Sequence, residues 1–235
     1  MRVVGFLTCA SLLVSQTAFA QTCPEPLAAA KRLVLVTADN FTTSTATLRR
    51  YERDGSQWRA NGGPVSALIG LKGMAWAQSF RPLAAKGDPV KYEGDKRIPA
   101  GIFSIGRSFG FAASRRANYM QIRDGMVCVS DAMSSAYNTI TTRADVGWKV
   151  HGENMWRIPD YRNGIVIDYP TDAKLRAGSC IFIHVALPGK TGTAGCVALP
   201  EPEVVALQDF ASPGAVIAVL PRSALPRLSA CLPAS

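Results

Sequence analysis

The sequence predicts a mainly β fold of the sandwich or barrel-like kind, and three observations carry that reading. Its apolar runs are short and rich in β-branched residues, Gly or Pro stands in nearly every gap between them, and one segment has the period and end signals of a firm helix. The chain holds 20 Gly and 15 Pro in 235 residues, punctuation enough for many turns. A hydrophobic content of 48% against 18% charged excludes a disordered chain.

Taken in order, Arg32 to Thr37 is a compact β-branched run. Thr45 to Arg53 alternates, and Gly55 separates it from Gln57 to Arg59, which predicts a hairpin. Further strands are expected over Ala67 to Leu71, Gly101 to Ile105, Tyr119 to Ile122, Met126 to Val129, Gly164 to Tyr169, Cys180 to Ala186 and Ala215 to Leu220. The helix is expected over Glu201 to Ala211. Pro202 lies near its first turn, Glu201 and Glu203 suit the positive end of the dipole, and Val204, Leu207 and Ala211 share a face. Trp58, Trp76, Trp148 and Trp156 are read as core. No internal repeat, linker or second domain interrupts residues 21–235.

The N-terminal 20 residues read as a secretory signal: Arg2 is basic, Val3 to Val14 is apolar, and Ala18-Phe19-Ala20 is a small-x-small cleavage site. Cys23 stands too far past Ala20 for lipid attachment, and no later run is long enough to span a bilayer. The expectation is an exported or periplasmic protein with no membrane anchor once the signal is removed. Lys and Arg outnumber Asp and Glu 26 to 17, for a net charge of +9. These cations are scattered, with no basic helix or aromatic-basic module, so nucleic acid is not expected and an anionic polymer outside the cytoplasm is.

Of six cysteines, Cys9 lies in the signal, leaving Cys23, Cys128, Cys180, Cys196 and Cys231. An odd number in an oxidising compartment leaves one thiol over. Cys196 lies in Thr193-Ala194-Gly195-Cys196-Val197, after the apolar run Ile181-Phe182-Ile183-His184. A thiol needs a base to become a nucleophile, and the chain has two histidines, His151 and His184. With Cys196 free, the other four admit three pairings. The tendency of domain ends to meet favours Cys23 with Cys231, and hence Cys128 with Cys180. No Cys-x-x-Cys or His-x-x-x-His spacing suggests a metal, and no cofactor is expected.

Two segments resemble the YkuD-type L,D-transpeptidases, bacterial enzymes that remodel peptidoglycan, over about Ala67 to Leu220. Gly94-Asp95-Lys96-Arg97-Ile98-Pro99-Ala100-Gly101-Ile102-Phe103 is similar to the family's G-D-x-x-T-P-x-G-x-F segment, with Ile98 at the Thr position. His184 through Leu199 is similar to its catalytic segment. Val129-Ser130-Asp131 and Ala136-Tyr137-Asn138 resemble a divergent branch, in which Val185, Ala194 and Ala198 replace the Gly, His and Arg or Asn common elsewhere. The resemblance implies one catalytic domain over 21–235, with a short helix after the catalytic strand. It implies Cys196 as nucleophile and His184 as base and then acid, on peptidoglycan stem peptides.

In that reading Gly195, with Thr193 and Ala194, forms the loop whose backbone N–H groups approach the developing oxyanion. Thiolate stabilisation is credited to His184. His151, Arg143, Arg157, Tyr161 and Asp131 are candidates for binding the stem peptide, Arg being suited to carboxylates. Two other readings stand beside transfer: hydrolysis through the same thioester, as an L,D-carboxypeptidase or amide hydrolase, and a non-catalytic wall-binding module. A papain-like order is excluded because its Cys precedes its His. The sequence leaves the oligomeric state open.

Overall fold

The computed structural model describes residues 23–211 and 214–234, so the expected signal, with Cys9, lies outside the described residues. In chain order the strands are β1 (Arg32–Ala38), β2 (Thr45–Asp54), β3 (Gln57–Ala60), β4 (Val65–Leu68), β5 (Met74–Trp76), β6 (Ile98–Gly110) and β7 (Tyr119–Gln121). They continue with β8 (Met126–Val129), β9 (Ile140–Thr142), β10 (Gly152–Asn154), β11 (Asn163–Asp168), β12 (Phe182–Val185), β13 (Val197–Leu199) and β14 (Ala215–Pro221). The helices are α1 (Arg143–Val146) and α2 (Glu201–Phe210).

Eight of these strands close a barrel in the order β1-β14-β6-β11-β12-β13-β4-β2, with β2 returning to β1. Most neighbours are antiparallel, but β1 with β14 and β12 with β13 run parallel. Closure leaves the barrel strands without free edges, which is how a mainly β fold avoids open pairing surfaces. The hairpin strand β3 hangs on β2, and β5 and β7 hang on β6. A separate three-stranded sheet, β10-β8-β9, covers part of the outside.

The mainly β expectation is met, and the differences from the sequence reading have physical causes. Strand β6 is far longer than Gly101 to Ile105, because Gly106 and Gly110, glycines of the kind read as punctuation, also belong to the strand. The three-residue strands β5, β9, β10 and β13 are too short to show a period of two. One-turn α1 escaped notice for the same reason, although Thr142 and Asp145 form a reciprocal capping box at its start. Trp148 corrects the core assignment of the four tryptophans: it is 65% exposed, whereas Trp76 is fully buried.

Strand alternation divides the apolar side chains between two cores. Ile181, Ile183 and Val185 with Val197 and Leu199 face the barrel interior, among Val34, Ile102, Phe103, Ile217 and Val219. Phe182 and Cys196 face outward into a second cluster with Phe109, Ile122, Cys128, Met155 and Tyr161, under the three-stranded sheet. Cys128 on β8 is bonded to Cys180, just before β12, which staples this sheet to the barrel wall. Cys23 is bonded to Cys231 and joins the two ends of the described chain. Cys196 is the free cysteine among the described residues.

Candidate active site

The site grows from the parallel pair β12 and β13. Ile183 registers with Val197 and His184 with Ala198, so Cys196 lies beside Phe182 as β13 begins. Side chains alternate along a strand, so Phe182 and His184 share the outer face. Cys196 joins them there, as its place in the outer cluster requires. Cys196 is thus offset from His184 by two residues across this parallel pair.

His184 is 6% exposed, and its Nδ1 lies 3.0 Å from the carbonyl oxygen of Val185. A carbonyl only accepts, so Nδ1 carries the proton and Nε2 keeps its lone pair, the tautomer a general base requires. Asp160 Oδ2 lies 3.9 Å from the same Nδ1 and faces the ring with negative charge. Tyr161 packs edge-on against the imidazole at 5.5 Å between ring centres and against Phe182 at 5.4 Å. Burial pushes the His184 pKa down; the Val185 bond and Asp160 oppose that shift.

Cys196 is 6% exposed. Its Sγ accepts from the Phe182 N–H at 3.4 Å and donates toward the Cys180 carbonyl at 3.5 Å. Burial drives its pKa well above the usual thiol range, the Glu153 carboxylate adds to that, and the Phe182 N–H and Lys91 pull the other way. This corrects the expectation of a standing thiolate. With imidazole and thiol both desolvated, the resting pair is neutral, and the proton leaves sulfur only as the reaction draws it off.

The loop before Cys196 is held by Thr193. Its Oγ1 donates to the Cys196 carbonyl at 2.8 Å and accepts the Gly195 N–H at 3.1 Å. The Gly195 N–H is therefore engaged inside the turn. Gly195 has φ +150°, and an added Cβ would meet the Arg97 carbonyl at 3.0 Å, so glycine serves shape and close approach. Ala194 is exposed at the tip of this loop. Behind it, Gly94 to Phe103 is a buttress: Lys91 and Asp95, each 3% exposed, pair at 2.6 Å, and Asp95 accepts the Arg97 N–H at 2.9 Å.

The expected substrate residues separate into two groups. Arg143 is buried, with its guanidinium bonded to Asn154 Oδ1 and the carbonyls of Gly147, Val150 and Gly152. It organises its own loop and has no face for a ligand. Tyr161 is also buried and donates its hydroxyl to Glu153, so it supports the His184 ring and does not contact a substrate carboxylate. Asp131 receives the backbone N–H groups of Met133 at 3.0 Å and His151 at 3.4 Å, which hold its pKa low, and works as a turn anchor. His151 and Arg157 are exposed. The Arg157 guanidinium lies over the rings of Trp156 at 5.3 Å and Trp148 at 6.0 Å.

Sequence reasoning missed Asp160 and Glu153. Both belong to segments that pack on the catalytic strand only in three dimensions, and a lone acid in Gly152-Glu153-Asn154 or Pro159-Asp160-Tyr161 has no spacing signature. Glu153 is buried enough that its carboxyl pKa rises, with the Tyr161 hydroxyl opposing. Asn138 accepts the Cys180 N–H at 2.9 Å and so helps to set the carbonyl that meets the thiol. Glu93 receives Tyr137 OH at 2.5 Å and Ser179 Oγ at 2.7 Å, and burial with this contact pushes the Tyr137 pKa up to about 12.

No protein-family model matches the chain, and none of the curated proteins matches it. Among solved structures it is similar to the helical cell shape determining protein Pgp2 from Campylobacter jejuni, at 17% identity and a TM-score of 0.42, over 80% of this chain and 46% of that one. A crystal structure of a Pgp2 mutant is similar at 15% identity and a TM-score of 0.44, over 86% and 53% of the two chains. The chain spans about half the length of these neighbours, and a likeness at this level carries no argument about activity.

Proposed function

We propose that this protein is a cysteine-dependent acyltransferase acting on peptidoglycan stem peptides, with one catalytic domain over residues 21–235 and an exported location. The observation that carries the reading is the Cys196–His184 pair. The two residues share one face of adjacent parallel strands, with His184 held in the tautomer that leaves Nε2 free.

In this mechanism Cys196 Sγ attacks a stem-peptide carbonyl while its proton passes to His184 Nε2. The imidazolium formed faces the Asp160 carboxylate. It returns the proton to the leaving amine, and a thioester remains on Cys196. A second amine, that of a diaminopimelate residue, then attacks the thioester with Nε2 as base, giving a crosslink and restoring the thiol. The exposed His151 and Arg157 remain the candidates for holding the peptide.

The test is digestion of sacculi incubated with the protein, followed by mass spectrometry of the products. New dimers support transfer. Shortened monomers mean that water takes the acyl group and that the protein is a hydrolase. A third reading, a wall-binding module, is favoured by the burial of Cys196 and its raised pKa. It requires wall binding with neither product and no acyl adduct on Cys196.

A further inference from the structure

A pocket of about 510 Å³ opens beside β11 and β12, with Met120, Ile140, Val166 and Phe182 among its apolar walls and Arg107 and Asp168 among its charged ones. Among the described residues Arg107 and Asp168, both exposed, have no side-chain hydrogen-bond or ion-pair partner. Their placement follows from a break in the β6–β11 register. Ser108 faces Ile165 and Ile105 faces Ile167, so Gly106 and Arg107 together oppose Val166. A bulge of this kind turns a side chain out of the normal alternation. The Asp168 carboxylate lies over Gly106: a Cβ there would stand 2.3 Å from Asp168 Oδ1. Partial desolvation raises the Asp168 pKa. Its wall residue Phe182 donates its backbone N–H to Cys196 Sγ, so a single residue lies between the pocket and the thiol.

We infer that this pocket is a subsite for an amino-acid zwitterion on an apolar stem, its carboxylate taken by Arg107 and its ammonium by Asp168. An unpaired cation and an unpaired anion on one partly apolar pocket match a ligand that carries both charges and an aliphatic chain, and a dianion or a diamine satisfies only half of the site. The binding stands by itself; the role of the pocket in seating the diaminopimelate end of a stem peptide next to the thioester rests on the acyl-transfer reading above.

Calorimetric titration of the purified protein with diaminopimelate tests the subsite, with pimelate (carboxylates only) and cadaverine (amines only) as comparison ligands. Diaminopimelate should bind, and each comparison ligand should bind about ten-fold more weakly or worse. Arg107→Gln and Asp168→Asn, both at exposed side chains, should each weaken diaminopimelate about ten-fold, and Gly106→Ala should do the same by displacing the carboxylate. Equal binding of the three ligands, no binding at all, or binding indifferent to both charge substitutions overturns the subsite. The titration is repeated on Cys196→Ala, where binding should persist. Selective binding without sacculus products supports the subsite and sinks only the acyl-transfer reading; sacculus products without selective binding do the reverse.

Discussion

The Cys196 thiol and the Cys180 carbonyl meet at 3.5 Å, and the sulfur of Cys180 is itself bonded to Cys128. Cys180 also adopts φ +56°, a left-handed backbone that costs a non-glycine residue about 1–2 kcal/mol. The nucleophile is thus seated on a carbonyl whose position depends on a crosslink to the outer sheet and on the Asn138 cap.

Cys128→Ser should therefore do more than loosen the fold. Loss of a native disulfide commonly removes about 2–5 kcal/mol of stability. With the clamp gone, the Cys180 carbonyl should move and the Cys196 alkylation rate should change. Thermal unfolding and iodoacetamide kinetics measure the two effects; a stability loss with an unaltered alkylation profile would mean that Cys180 is positioned by Asn138 alone.

Cys196→Ala should keep the fold and abolish both the sacculus products and the acyl adduct on this residue, since the thiol contributes little packing beyond a small apolar group. His184→Ala should be nearly as severe and His151→Ala milder, because only His184 stands on the strand beside Cys196. Product yield and adduct mass are the readouts, and a reversed ranking of the two histidines would remove His184 as the base.

Iodoacetamide should alkylate Cys196 slowly at neutral pH and faster as pH rises, because the thiol is buried and its pKa lies above the ordinary range. Alkylation followed by peptide mass mapping across pH decides this. Fast neutral reaction would show a standing thiolate and would contradict the burial of the site.

Stability should fall at both ends of the pH range through this pair. His184 has a lowered folded pKa, so the unfolded chain binds the extra proton first. Stability is lost as pH drops below about 6.5, until the folded pKa is passed. Cys196 has a raised folded pKa, so the unfolded chain loses its proton first, and stability declines as pH rises above about 9. Melting curves of His184→Ala should show a shallower acid limb, and those of Cys196→Ala a shallower alkaline limb.

Asp95→Ala should cost about 3–5 kcal/mol, because it strands the buried Lys91 ammonium without its carboxylate. Replacing both residues by apolar ones of similar size should recover much of that loss. Denaturant unfolding of the single and double variants provides the comparison, and a small loss in the single variant would mean that Lys91 escapes to water.

The class of fold and the identity of the central thiol were legible in the sequence because both rest on local or countable features. Alternation in β2, the β-branched run of β1 and the end signals of α2 are properties of a few consecutive residues, and an odd cysteine is a matter of arithmetic. What lay beyond it was set by contacts between distant segments. Gly106 and Gly110 in β6 read as punctuation because nothing local shows that Asp168 crowds the one and Arg162 and Tyr119 the other. Arg143 read as a free cation because its four acceptors come from a loop that closes only after folding. Asp160 and Glu153 carried no signal, since an isolated acid gains meaning from what packs against it. The protonation state of Cys196 was decided last of all, by burial beneath the outer sheet: desolvation depends on the whole surrounding volume, and no run of residues encodes it.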